Sequence, residues 1–220
     1  MEYRCVATSS EGFVQQLAVG YVARGYVKFV TGRVPDGKSA ELVDRKLIET
    51  YGIAISKFAR ARRKAQGKAN VHYLRHGQAW VMLATEGSHE KFLRLEGGNI
   101  KDARETPIRV EGYAISYRAG HASVRIDAVR YLELKAYFLE LARHRRCEAI
   151  EAEFRQLQFV PYAPIRRQLL SLYRAVNRVR RTSGFQPVSK WCLRMERRNV
   201  RVFELAMGGG GDEKIPSLSA

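Results

Sequence analysis

Apolar positions along the chain change spacing from one segment to the next, and the spacings name the elements. In "SSEGFVQQLAVGYVARG" Phe13, Leu17 and Tyr21 recur at helical intervals, and Gly25 closes the run. "YVKFVTGRV" is rich in β-branched and aromatic residues and stops at "PDG", which predicts a strand and a turn. In "SAELVDRKLIETYG" Ser39 is placed to cap a helix, Val43, Leu47 and Tyr51 share one face, and Gly52 ends it. Ser56 is placed to cap a second helix over residues 56–66, closed by Gly67. "NVHYLR" and "QAWVMLAT" flank "HG", the pattern of a tight hairpin. "SHEKFLRLEGG" predicts a short helix, and "YRCVAT" near the start predicts a short strand.

The clearest hairpin is "GYAISYR-AG-HASVRID". With Ala119-Gly120 as its turn, Tyr113, Ile115 and Tyr117 share a face with Ala122, Val124 and Ile126. Ser116, Arg118, Ser123 and Arg125 take the other face. After Asp127 the pattern turns helical in "VRYLELKAYFLELARHRR", "CEAIEAEFRQLQF" and "APIRRQLLSLYRAVNRVRRTSG". "KWCLRMERRNVRVFEL" alternates as a strand would, and "GGGGDEKIPSLSA" has no period and predicts a mobile tail. The expected class is therefore α+β. Residues 1–128 form an α+β core domain, residues 129–207 a basic, mainly helical part packed on it, and 208–220 a flexible tail. The order strand, helix, strand, strand, helix, strand over residues 26–118 predicts a ferredoxin-like antiparallel sheet with packed helices.

Charge adds what periodicity cannot. The 220 residues carry 39 Lys and Arg against 22 Asp and Glu, a net charge of +17. Such an excess favours encounter with polyanions and contact with phosphates. Arg dominates the basic clusters, and its planar fork suits phosphate, guanine edges and base stacking. Nucleic acid, RNA or DNA, is thus the expected partner, and no membrane partner is expected. No apolar run has the ~18 residues that a membrane span requires. "MEYRCVATSS" lacks a charged-then-apolar leader, and Cys5, Cys147 and Cys192 form no Cys-x-x-Cys pair. A reduced, cytoplasmic chain is the corresponding expectation.

Two basic segments stand out. "KFARARRKAQGK" holds Lys57, Arg60, Arg62, Arg63, Lys64 and Lys68 with no acid among them. In the segment that follows Pro164, Ile165, Leu169, Leu172, Val176 and Val179 project from one helix face, at ~100° per residue. Arg167, Arg174, Arg178 and Arg181 fall opposite, in a strip about 60° wide. Residues 143–201 hold fifteen Lys and Arg against four acids, too few to neutralise that strip. "HGQAWVML" resembles the aromatic strand signature of RNA-recognition motifs. Gly77, Ala79, Trp80 and Val81 match in type, whereas His76, Gln78 and Leu83 depart from it. That resemblance implies an aromatic-bearing sheet, with Tyr73 and Trp80 as base-stacking candidates, and so favours RNA or single strands.

Catalytic signals are sparse. His72 and His76 on one strand would stand about 13 Å apart, too far to share a metal ion. The His-x-His pair of rolling-circle nickases is absent, as are phosphate-binding loops and nucleophile elbows. Asp102, Glu105 and Asp127 lie near predicted strand ends, but spacing singles out none of them as a metal ligand. The sequence calls for no cofactor, no metal and no named catalytic residue. The first expectation is a phosphate-dominated nucleic-acid-binding protein. A second is a processing enzyme (small nuclease, RNA-processing endonuclease or mobile-element transposase), with His72 as base and Arg75 or Lys68 as cation. A third is a structural subunit of a ribonucleoprotein, and self-association into a homo-oligomer stays open.

Overall fold

The computed structural model describes residues 3–193, 195–196 and 200–204. Helix α1 (Ser10–Gln15) starts where the Ser9 hydroxyl accepts the Gly12 amide. It runs on through a π-helical turn (Gln16–Tyr21) and a 3-10 turn (Val22–Arg24) to Gly25, whose φ of 88° reverses the chain. Phe13, Leu17 and Tyr21 are all buried.

Strand β1 (Lys28–Arg33) leads into α2 (Ala40–Thr50) and α3 (Lys57–Ala65). Both helices are capped as their sequences suggest, Ser39 accepting from the Leu42 amide and Ser56 from the Ala59 amide. The β2 (Val71–His76) and β3 (Ala79–Ala84) hairpin turns at Gly77-Gln78, followed by α4 (Glu90–Glu96) and β4 (Lys101–Asp102). Pairing is antiparallel throughout, in the order β2-β3-β1-β4. With a helical crossover after β1 and another after β3, this is the ferredoxin-like arrangement.

One strand of that arrangement differs from expectation. The fourth position is filled by the two-residue β4, not by Tyr113–Arg118. β4 ends at once because Asp102 folds the chain over: its carbonyl accepts from Glu105 and Thr106, and its carboxylate from the Arg104 amide. Residues 113–118 instead form β6, the centre of a second sheet of β5 (Ile108–Val110), β6 (Tyr113–Arg118) and β7 (His121–Ile126). The β6–β7 register pairs Tyr113 with Ile126, Ile115 with Val124 and Tyr117 with Ala122, as the alternation requires. "YRCVAT" contributes a bridge rather than a full strand: the Arg75 amide donates to the Cys5 carbonyl, and the Ala7 amide to that of Arg75.

Helices α5 (Ala128–His144), α6 (Cys147–Gln156) and α7 (Ala163–Thr182) follow. α7 lies along β7, where the Gln168 amide group bonds both the N–H and the C=O of Ile126 and so occupies the free sheet edge. The expected strand from Lys190 is not formed over its first residues. Lys190–Cys192 is a 3-10 turn, because Cys192 and Leu193 turn inward to the core and break the alternation. Residues 195–196 and 200–204 are not in a strand, and residues 194, 197–199 and 205 of that segment and the predicted tail at 208–220 lie outside the described residues.

Both faces of the four-stranded sheet are covered. Val30, Val71, Tyr73, Met82 and Ala84 pack with Tyr51, Ile53 and Phe92 from the helical side. Phe29, Leu74, Val81 and Leu83 pack with α1, and the same apolar cluster continues through Ile115 and Val124 to Phe138, Phe154, Leu169 and Leu172. The apolar cluster thus runs from the sheets into α5, α6 and α7, where residues 129–207 are expected to pack on the core.

Candidate nucleic-acid interface

The arginine face of α7 has the geometry that its periodicity predicts. Ile165, Leu169, Leu172 and Val176 are buried, and Val179 packs at the margin of the core. Arg167, Arg174, Arg178 and Arg181 are exposed, and none makes an ion pair with a described residue. From Arg167 to Arg181 the row is about 21 Å long. Arg180, one residue from the row's end, behaves oppositely. It is 2% exposed and donates to the Gln186 and Arg145 carbonyls at 2.6 and 2.8 Å, tying the ends of α5 and α7 together.

Helix α3 divides in the same way. Lys57, Arg62 and Lys64 are exposed, Lys68 is exposed in the turn that follows, and Arg63 is half-buried. Arg60 is not available for a ligand. Its guanidinium donates to the Ile53 carbonyl at 2.7 Å and to the Val71 carbonyl at 3.2 Å, closing the outer edge of β2. No hydrogen bond or ion pair joins α3 to α7 among the described residues, so the structure presents two basic surfaces.

The sheet aromatics do not form a platform. Tyr73 has no exposed surface, and its hydroxyl donates to Asp44 at 2.6 Å. Trp80 is half-buried, and its ring lies where a Cβ on Gly32 would stand. The physical reason is coverage: α2 closes one face of the sheet, and α1 with the second sheet closes the other. The resemblance to an RNA-recognition strand therefore does not extend to an open binding surface.

His72 and Arg75 leave β2 three residues apart and so point to opposite faces. Arg75 is buried against Asp44, donating through Nε and Nη2 at 2.8 Å each, with Nη1 on the Gly77 carbonyl. It cannot serve His72 as a cation. His72 sits among Tyr3, Tyr21 and Tyr26, stacked on Tyr21 at 4.4 Å. The Tyr3 hydroxyl lies 2.9 Å from His72 Nδ1 and also bonds the carbonyl and the amide of Tyr73, so the ring is held by a hydrogen bond at one nitrogen. Burial, reinforced by Arg60 and Arg24, pulls the His72 pKa down to about 3. The ring is neutral at physiological pH and too weakly basic to gain much as a general base. Lys68 stands in an exposed turn.

Of the exposed aromatics Phe58, Tyr137, Phe185 and Trp191, none of which is among the expected binding residues, two are exposed far more than the others. Phe58 on α3 is 83% exposed, and Trp191 beside Lys190 is 93% exposed. Phe58 is discoverable from sequence, since it falls opposite Arg60 on a helical wheel. Trp191 is not, because its segment reads as a strand. Among the described residues no three His, Cys, Asp or Glu side chains converge as a metal site, and no helix is long and apolar enough to cross a membrane. No known family model matches the chain, and no curated protein matches it.

Proposed function

We propose that this protein binds nucleic acid chiefly through phosphate contacts, with RNA or single strands favoured. The observation that carries the reading is the row Arg167, Arg174, Arg178 and Arg181, exposed on α7 and making no ion pair with a described residue. Like charges held in a row repel one another, and a polyanion relieves that repulsion while releasing its counterions. The exposed cations of α3 supply a second contact surface. With the sheet covered, affinity rests on these helices, and the lean to single strands rests on Phe58 rather than on Tyr73 or Trp80.

The test is binding of the purified chain to labelled single- and double-stranded RNA and DNA, at two salt concentrations, with and without Mg²⁺. Binding that weakens steeply with salt is the expected result. Absence of binding to all four ligands at low salt refutes the reading. A cut product would instead favour a processing enzyme.

A further inference from the structure

Phe58 is a large apolar side chain placed where burial gives it nothing. Helix α3 has no buried residue, and its inner side is held by Arg60, Ala59 and Arg63. At ~100° per residue, Phe58, Ala61, Arg62 and Ala65 share one outward strip within about 100°. Ala61 and Ala65 are methyl-sized, so on their side of the strip no long side chain rises beside the Phe58 ring, and Arg62 is the one long neighbour on it. Arg62 is one turn on, and Lys57 and Lys64 flank the strip on one side. None of these cations makes an ion pair with a described residue, and the helix carries no acid.

We infer that Phe58 is a stacking site for an unpaired nucleobase of a single-stranded nucleic acid, with Lys57, Arg62 and Lys64 meeting the phosphates on either side of that base. The inference rests on the nucleic-acid reading above and deepens it. The charge pattern selects the class: an aromatic ring flanked by cations that make no ion pair with a described residue, on a helix without acids, complements a ligand that alternates π-faces with phosphates. A duplex does not satisfy it, because paired bases present their edges and keep their faces stacked. A protein segment seated on Phe58 would need its own anions in register with three cations, and is the rival outcome of the test.

The experiment compares the full chain with its Phe58→Ala and Arg62→Gln variants on a labelled oligouridine, on the matching abasic ribose-phosphate strand and on a duplex of the same length. Phe58→Ala is expected to weaken oligouridine binding about 5- to 150-fold while leaving the abasic strand and the duplex unchanged. Arg62→Gln is expected to weaken binding to both single strands and to lower the salt slope by about 0.7. Phe58 is exposed, so loss of fold does not confound the result, and a thermal melt verifies this. If the unaltered chain binds oligouridine but Phe58→Ala binds it equally well, the stacking site is overturned and the phosphate reading survives. Equal weakening on oligouridine and the abasic strand also overturns it. If the unaltered chain binds none of the three ligands at low salt, the nucleic-acid reading fails and the stacking site with it, leaving a protein partner for this face.

Discussion

Replacing Arg167, Arg174, Arg178 and Arg181 together by Gln tests the proposed function at its strongest point. Each released phosphate counterion contributes about 0.9 to the slope of log K against log salt for duplex DNA, and about 0.7 for single strands. If all four guanidinium groups contact phosphates, the variant loses about 2.8 from the slope on single strands and about 3.6 on duplex. Between 50 and 200 mM salt, that is about 50- to 150-fold of the salt-induced weakening removed by one helix face. The fold should tolerate the change. The four side chains are exposed and make no ion pair with a described residue, and Gln is nearly as good a helix former as Arg. Only the loss of positive charge near the C-terminal end of α7, at Arg178 and Arg181, carries a stability cost, about 1 kcal/mol in sum.

The assay is fluorescence anisotropy across a salt series, with circular dichroism to verify the fold. A well-folded variant whose salt slope equals that of the parent refutes the role of α7. A variant that loses affinity equally at every salt concentration also refutes it, because the lost contacts would then not be ionic.

Other expectations follow from the buried polar groups. Arg180→Gln should destabilise the fold by about 2–3 kcal/mol in denaturant titration, since the buried guanidinium's two charged bonds to the Gln186 and Arg145 carbonyls are lost, whereas Arg181→Gln next to it should stay within about 0.5 kcal/mol. Asp44→Ala should cost about 3–5 kcal/mol, because it strands the buried Arg75 guanidinium, while Tyr73→Phe should cost only about 1 kcal/mol. Acid should act through His72, which resists protonation until about pH 3 when folded but takes up a proton near 6.5 when unfolded. Its contribution is therefore present above 6.5 and lost as pH falls through the window below it, by up to about 1.4 kcal/mol per pH unit, so His72→Phe should flatten the fall in stability between pH 6.5 and 4 relative to the parent.

The elements that could be read from sequence are those whose signals are local. Ser39 and Ser56 cap helices, Gly77 and Ala119-Gly120 turn hairpins, and the apolar stripe of α7 faces the core, all from neighbours within a few residues. Strands β4 and β5 could not be read, because two or three residues show no period. The burial of Tyr73 could not be read either. Tyr73, Leu74 and Arg75 are all buried, so a strand covered on both faces loses the alternation that would mark an open one. Arg60 and Arg62 look alike in the sequence. Only the carbonyls of Ile53 and Val71, brought to the edge of β2 by the fold, separate them.

That separation runs through the whole molecule and explains how a chain of +17 keeps a compact core. The arginines nearest the interior are neutralised or bonded one by one, Arg75 by Asp44, and Arg60 and Arg180 by backbone carbonyls, while the exposed Arg104 pairs with Asp102 and Glu86. Acids are drawn into these pairs. Asp102 binds both Arg104 and Lys28, and this holds its carboxyl well below the usual carboxylate range. Carboxylates engaged inside are not free to screen the outer helices. Arg62 on α3 and the row on α7 make no ion pair with a described residue, and the α7 row stands on a helix that the core fixes through Leu169, Leu172 and Val176. Elsewhere on the surface, cations are paired locally, as in Arg130–Glu133, Arg143–Glu140 and Arg155–Glu151. The outer cations of α3 and α7 have no such pair among the described residues, and the mutual repulsion this leaves is what the salt-series experiment measures.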